Sequence, residues 1–480
     1  MVQGKYFNIG TDNFKIFLYM TLVAYISLSI VIFNVLPKYA FFIVPVICFL
    51  PYIVYLAYSN INMMFLLYIA SIPLIQHFSF YNIELGDFRI TPHMMVQLVL
   101  LISLIGNGLL TKNKIKFNYS NVDKAFLLFF VLSIIPLMIG YTFEVNHVKR
   151  WLLFYTGVIE TIILYFVLRY LLNSEQITSK QVITALLCTS FASVIVAIFE
   201  LNSIGTNLIA IYTSRMGIGF GYHNTNLFGI HSTLLFPLTI YALADKEFSQ
   251  YRKMALCSFL ILTFLSIICF NRGTFLVLGF QLFLLFFYKQ NRKVIYWIVF
   301  GAIILGLVFS DLLALYVLRF FAGSGTEATV TVVDNSANYR LEAWKAGLLI
   351  IFHYPFGVGA GGFQHMWEIY GTIPNLFLGT PHHLLLSIGV DYGIPCLFLF
   401  LVIFFATIKK SKKLFKENKE NNSKYFYIIV SLIGFITYGL ITDGELSHLS
   451  GSIAPNNGYT LVLFSLIAVV ISEFTDKKSV

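Results

Sequence analysis

The sequence predicts an all-α polytopic membrane protein with about 12–14 transmembrane helices, and three observations carry that prediction. Only 11% of the residues are charged and 58% are hydrophobic, whereas soluble domains are about a quarter charged. The apolar residues come in long blocks such as FLILTFLSIICF and LFLVIFFATI, with no amphipathic stripe. No strand-like dyad alternation runs through them, which favours helices over a transmembrane β-barrel.

A hydrocarbon core about 30 Å thick needs roughly 20 apolar residues per helix. Fourteen blocks approach that length: 14–36, 38–58, 61–80, 92–110, 124–142, 151–172, 182–200, 226–244, 254–271, 274–288, 293–318, 382–408, 425–442 and 459–474. Losing a pair of short spans leaves twelve, hence the range. The first block lacks a small-residue cleavage site and is expected to stay as a span rather than leave as a signal peptide. Residues 1–318 then carry spans one to eleven, 319–381 form a long external loop with short helices, and 382–480 carry the last three spans. No soluble domain and no internal repeat stand out.

Orientation follows from Lys and Arg in the short loops. The cluster KKSKKLFKENKENNSK at 409–424 is expected to be cytoplasmic. Stepping outward from it puts TKNKIKFNYSNVDK, DKEFSQYRK, YKQNRK and both termini on the same side. That side holds 20 Lys and 3 Arg, and the other 3 Lys and 6 Arg. The formal charge of +10 therefore reflects topology; no basic patch with interleaved aromatics points to nucleic acid. The five cysteines (Cys48, Cys188, Cys257, Cys269, Cys396) all fall inside apolar blocks, with no metal or disulfide spacing, and read as small buried hydrophobes.

Six of the nine arginines face outward against the rule: Arg89, Arg150, Arg215, Arg272, Arg319 and Arg340. Any one of them could snorkel to headgroups. As a group they favour an anionic ligand, because guanidinium binds phosphate and carboxylate bidentately. Three outward segments stand out. TSRMGIGFGYHNTNLFGIH (213–231) leads into a span with Asn226 near its start. NRGT (271–274) is a charged hairpin with almost no loop, so Arg272 sits at or just below the membrane surface and needs a partner. The long loop opens with NSANYRLEAWKAGLLIIFHYPFGVGAGGF and closes with PHHLLLSIGVDYGIP.

The order Arg-x-x-x-Trp, His-Tyr-Pro-Phe-Gly-Val-Gly and His-x(10)-Gly resembles the O-antigen polymerase and O-antigen ligase superfamily of bacterial envelope polysaccharide assembly, over roughly residues 210–400. The resemblance implies that Arg272 and Arg340 hold the pyrophosphate of a polyprenyl-linked donor and that His382 is at the reaction centre. The family's usual His-Asn pair stands here as His382–His383, and its helix acid as Asp391. Arg215 and Asn226 match the weaker segment before span eight. It implies a multi-pass protein of the bacterial plasma (inner) membrane, with a glycan or lipid-linked acceptor and with flippase and chain-length regulator proteins as candidate partners. No cofactor and no metal are expected.

The residues make chemical sense by themselves. Glycosyl transfer from a pyrophosphate carrier needs charge neutralisation on the leaving group and a base near the acceptor hydroxyl. Two guanidiniums and a neutral imidazole supply these, and no outward Asp-x-Asp pair offers a metal site. If His382 begins a helix, eleven residues bring Gly393 back to its face about 16 Å deeper. Gly389 and Gly393 would then open a groove for a lipid chain, or serve close helix packing. Glu160 and Asp311 are intramembrane acids that keep a transporter or lipid-glycan flippase in view. The expected function is a glycosyltransferase polymerising repeat units from a polyprenyl pyrophosphate on the outer face; the alternative is a ligase placing the glycan on lipid A core or protein.

Overall fold

The computed structural model describes residues 60–74, 83–85, 88–90, 100, 118–143, 147–205, 211, 218–222, 224–308, 335–373, 379–417, 423–442, 446, 448–450 and 454–479. The chain divides into two compact units, 1–69 with 78–116, and 70–77 with 117–480. The described elements of the first are α1 (Ile61–Ala70), which ends at the unit boundary, and an antiparallel hairpin of β1 (Ile83–Leu85) and β2 (Phe88–Ile90) that pairs Glu84 with Arg89.

The second unit is a helical bundle. Its helices are α2 (Asn121–Gly140), α3 (His147–Phe154), α4 (Thr161–Asn173), α5 (Ser179–Ile204), α6 (Thr225–Ala244), α7 (Arg252–Ile268), α8 (Arg272–Phe286) and α9 (Arg292–Val308). After these come α10 (Asn335–His353), α11 (Phe363–Tyr370), α12 (Leu384–Glu417), α13 (Lys424–Ile441) and α14 (Gly458–Ser479). A three-residue hairpin, β3 (His448–Ser450) with β4 (Ala454–Asn456), lies between α13 and α14. Among the described residues eight helices are long and apolar enough to cross a membrane, or up to nine if a bent pair is one span. The protein is an all-α polytopic membrane protein. Three of the fourteen blocks, 14–36, 38–58 and 92–110, lie outside the described residues. The bent pair, Arg272–Phe286 and Lys289–Gly301, turned through 113°, falls on two blocks read as separate spans, 274–288 and the described part of 293–318.

Local chemistry sets the helix starts. Ser120 caps α2 while Asp123 returns a bond to the Ser120 N–H at 2.6 Å, satisfying donors that a first turn leaves open. Thr178 and Gln181 form the same reciprocal cap on α5. A π-helical turn, Tyr155–Glu160, joins α3 to α4 within one span; Asn457 donates to the Thr156 carbonyl at 2.7 Å, and Glu160 is buried there. Such wide turns free backbone groups that a side chain must then meet.

α6 and α14 are the central helices, buried along most of their length. α6 packs on α13, α7 and α8; α14 packs on α4; α12 packs on α2 and α13. Basic segments gather at one end of the bundle. Lys180 lies over the Phe248 and Tyr251 rings, Lys410 and Lys413 over Phe474, and Lys424 pairs with Glu473 at 2.6 Å. There Arg169 and Asp123 form a fully buried pair at 3.2 Å, with Tyr165 donating to the same carboxylate. Arg169 also donates to Ser472 on α14, so a single guanidinium ties three helices and leaves little of its charge uncompensated.

Candidate functional site

The end of the bundle opposite the lysines holds the residues singled out from sequence. α8 begins in the NRGT hairpin, where the Asn271 side chain caps the helix by accepting from the Thr274 N–H at 3.1 Å. Its amide nitrogen donates to Asn226 Oδ1 at 2.6 Å and to the Tyr438 hydroxyl at 3.0 Å. α6, α8 and α13 are thereby locked together through one buried side chain. Gly229 lets them close up, since a methyl there would overlap Thr274 Oγ1 and the Tyr438 hydroxyl. Arg272 follows as the first residue of α8, half-buried, and Gly273 after it sits directly on Thr442.

Three residues beyond Asn271's contact at Tyr438, α13 ends at Ile441. Arg340 Nη1 donates to the Ile441 carbonyl at 3.2 Å, one of the carbonyls a helix C-terminus leaves open. Between these two contacts Gly439 abuts Leu384, the first residue of α12: a Cβ on it would stand 2.8 Å from Leu384 Cβ. The five residues Tyr438–Thr442 therefore gather Asn226, the Asn271–Gly273 hairpin, Arg340 and the His382–His383 turn.

The histidines occupy distinct backbones. α12 starts at Leu384, so neither lies within it. His382 has φ +50° and its N–H donates to Thr380 Oγ1 at 2.9 Å. A non-glycine residue in the left-handed region is strained by roughly 1–3 kcal/mol, and such residues cluster at functional sites. His383 is the helix cap: its Nδ1 accepts from the Leu386 N–H at 3.3 Å, which puts the neutral ring's proton on Nε2. Its ring stands edge-on to Trp344, centroids 5.4 Å apart. Trp344 is one turn beyond Arg340 on α10, so the Arg-x-x-x-Trp spacing presents both to this end. Burial lowers the His383 imidazole below its ordinary value, and a contact with its own backbone, distinct from the cap bond, opposes the shift. On α10's outer side, hydrogen bonds from Lys345 and then Thr372 lower the exposed Glu342 carboxyl.

The face alignment of His382 with Gly389 and Gly393 does not hold. The helix ideal of 100° per residue applies neither at His382, two residues before α12, nor past Gly393, where α12 breaks with φ +83° and ψ 169°. Nor is Gly393 the floor of a lipid groove, because its missing side chain is replaced by the Phe356 backbone; a Cβ there would lie 2.7 Å from Phe356 Cα. The His-Tyr-Pro-Phe-Gly-Val-Gly segment splices the break. Val358 N–H donates to Val390 O at 2.8 Å, Gly359 N–H to Asp391 O at 3.0 Å, and Ile394 N–H to Pro355 O at 2.8 Å. These three bonds bridge the break and pair backbone groups that a kink leaves open.

Arg150 clamps the splice. It is 1% exposed and donates through Nη1 to the Val358 carbonyl at 2.5 Å. A methyl on Gly140 would overlap that nitrogen, and one on Gly359 would reach it at 2.8 Å. Asp391 acts on this guanidinium electrostatically. Asp391 and Gly393 thus belong with Arg150 at the splice, about 12 Å of helix rise from His383, and not with the His382–Arg340 cluster. Arg215 and Arg319 lie outside the described residues, as does Asp311, and Arg89 is in β2. His231 is buried between Tyr222 and Thr189, His353 folds back on the Leu349 carbonyl, and His365 packs on Phe143. The hydropathy pattern hid Tyr438, Gly439 and Thr442, since Tyr, Gly and Thr are ordinary members of an apolar span; only their position at a span end marks them.

Residues 257–401 match the family model described as O-antigen ligase. The match covers Arg272, Arg340, His382, His383, Asp391 and Gly393, and it supports the O-antigen polymerase and ligase superfamily, with the glycosyltransferase-like membrane enzyme activity that family implies. No curated protein matches the chain.

Proposed function

We propose that this membrane enzyme is a metal-independent glycosyltransferase that polymerises polysaccharide repeat units from a polyprenyl-pyrophosphate carrier on the outer face of the plasma membrane. The observation that supports this reading is that Arg340, Gly273 next to Arg272, and Leu384 two residues after His382 all contact the last residues of α13, at the end of the bundle opposite the lysines. The lysine-rich end is the cytoplasmic one on the positive-inside rule, which leaves this cluster facing the extracytoplasmic space. The two guanidiniums stabilise the pyrophosphate as the anomeric C–O bond to it breaks. The acceptor oxygen bonds the anomeric carbon, and the acceptor's proton passes to the imidazole of His382, held off-helix at φ +50°. His383 is occupied as the cap of α12 and supports the turn. Lipid-linked pyrophosphate leaves with the charge still held.

A ligase shares this donor chemistry and differs in the acceptor; the description of the matched family as O-antigen ligase favours it as the second reading. The test is a reaction of purified protein with polyprenyl-linked repeat units, with no transmembrane gradient. Lengthened lipid-linked product supports the polymerase. Product only when lipid A core is added replaces it with the ligase, and no glycan transfer in either case defeats both.

A further inference from the structure

The segment 319–381 is expected from sequence to be an extramembrane cap, but the last turns of α10 do not fit a surface bathed in water. Its inner side packs Ala343, Ala346 and Ile350 into a buried cluster with Phe363, Met366 and Val390. Its outer side changes character along the helix. Around Glu342 and Lys345 it is charged; beyond them it exposes Leu348 (59%), Leu349 (47%) and Phe352 (82%), followed by Phe356 (51%) in the turn. This apolar surface runs onto the lipid side of α12, where Ile394, Phe398, Val402 and Phe405 are exposed at helical spacing. The two are held close, since Ile394 N–H donates a hydrogen bond to Pro355 O and Gly357 packs against the Gly393 nitrogen.

Depth follows by counting. From Ile394 to Lys409, the first exposed lysine of the span, the helix rises about 23 Å. The hydrocarbon layer is about 30 Å thick, so Ile394 lies within it, and any tilt of α12 places it deeper. Pro355 and Phe356, held to Ile394 and Gly393, share that depth. We propose that Leu348–Phe356 is embedded in the leaflet opposite the lysine-rich end, with Phe352 and Phe356 against lipid acyl chains and α10 entering the bilayer obliquely. α10 then has one end in the leaflet and carries Arg340 and Trp344 towards its other end. The splice at Gly393 explains how irregular backbone survives there, because its groups are bonded within the protein.

The test uses the full-length protein in nanodiscs, with the five native cysteines replaced and single cysteines introduced as Phe352→Cys, Leu348→Cys and Lys345→Cys. Each is labelled with an environment-sensitive fluorophore and challenged with aqueous iodide and with acyl-brominated phospholipid. The expected result is blue-shifted emission at 352 and 348, loss of most iodide quenching relative to 345, and severalfold stronger quenching by brominated lipid. Iodide quenching at 352 and 348 equal to that at 345 overturns the proposal. So does protection from both quenchers, which marks a protein partner or second copy as the occupant. Leu348→Cys keeps the test decisive where one label perturbs the turn.

Discussion

Gly273 and Thr442 touch with no room for a side chain between them, so the residue after Arg272 is seated on the end of the helix whose Ile441 carbonyl receives Arg340. This contact decides where the Arg272 guanidinium starts from. Gly273→Ala should overlap the Thr442 methyl and cost about 1–3 kcal/mol of stability, as overpacking typically does. Thr442→Ser removes that methyl and keeps the hydroxyl bond to the Tyr438 carbonyl. The double variant should recover most of the thermal stability in detergent and most of the glycan product. Recovery of neither shows that the contact does not set the geometry of the hairpin.

Arg272→Ala and Arg340→Ala should each lower turnover by orders of magnitude, since removing one charge-stabilising donor costs about 2.7–4 kcal/mol in comparable sites. Lysine at either position should rescue only in part, because the bidentate fork is lost. Product formation by purified variants at matched protein levels is the measurement. Near-normal rates in both alanine variants remove the clamp from the mechanism.

His382→Ala should abolish product while costing less thermal stability than loss of the helix cap, which His383 supplies. His383→Asn should keep activity, because Asn is a good helix cap. His383→Ala should lose about 0.5–2 kcal/mol of stability with its cap. Surface polysaccharide ladders beside membrane protein levels separate these outcomes; dead His383→Asn with active His382→Ala reverses the assignment.

The same histidine sets a pH dependence. Burial lowers the folded-state imidazole of His383 below the unfolded value near 6.5, so the unfolded chain binds the extra proton first. The cap's contribution is fully present above about pH 6.5 and is lost as pH falls through the depressed folded value. Thermal stability should therefore decline on acidification below about pH 6.5, and His383→Asn should flatten that decline. An identical acid profile in both proteins would falsify the cap as its source.

Arg150→Met should destabilise by about 1–3 kcal/mol, the range for a lost hydrogen bond from a charged group together with the carbonyl left behind. Gly359→Ala, at φ +85° and against the guanidinium, should do at least as much. Both are read by thermal unfolding in detergent, with activity falling in step if the splice positions the half of α12 that follows His383. Full stability in Arg150→Met would make the guanidinium dispensable to the splice and free it for a ligand.

The amino-acid sequence by itself determined the membrane class, most helix locations and the clustering of lysines at one end, because each rests on local composition. A run of apolar residues such as 425–442 selects a span wherever it occurs, and Lys180, Lys410 and Lys424 are kept at one end by the cost of moving charge through hydrocarbon. The motif order also marked Arg272, Arg340 and His382 as a set. Tertiary structure alone decided that Arg340 and the neighbours of Arg272 and His382 touch the same end of α13. Tyr438, Gly439 and Ile441 contact residues 55 to more than 200 positions away, and hydropathy carries no information about such pairings. It also decided that α12 breaks at Gly393. The sequence IGVDYGIP permits a continuous helix up to its proline or a break at its last glycine; the backbone of Phe356, filling the space a Cβ would occupy, selects the break.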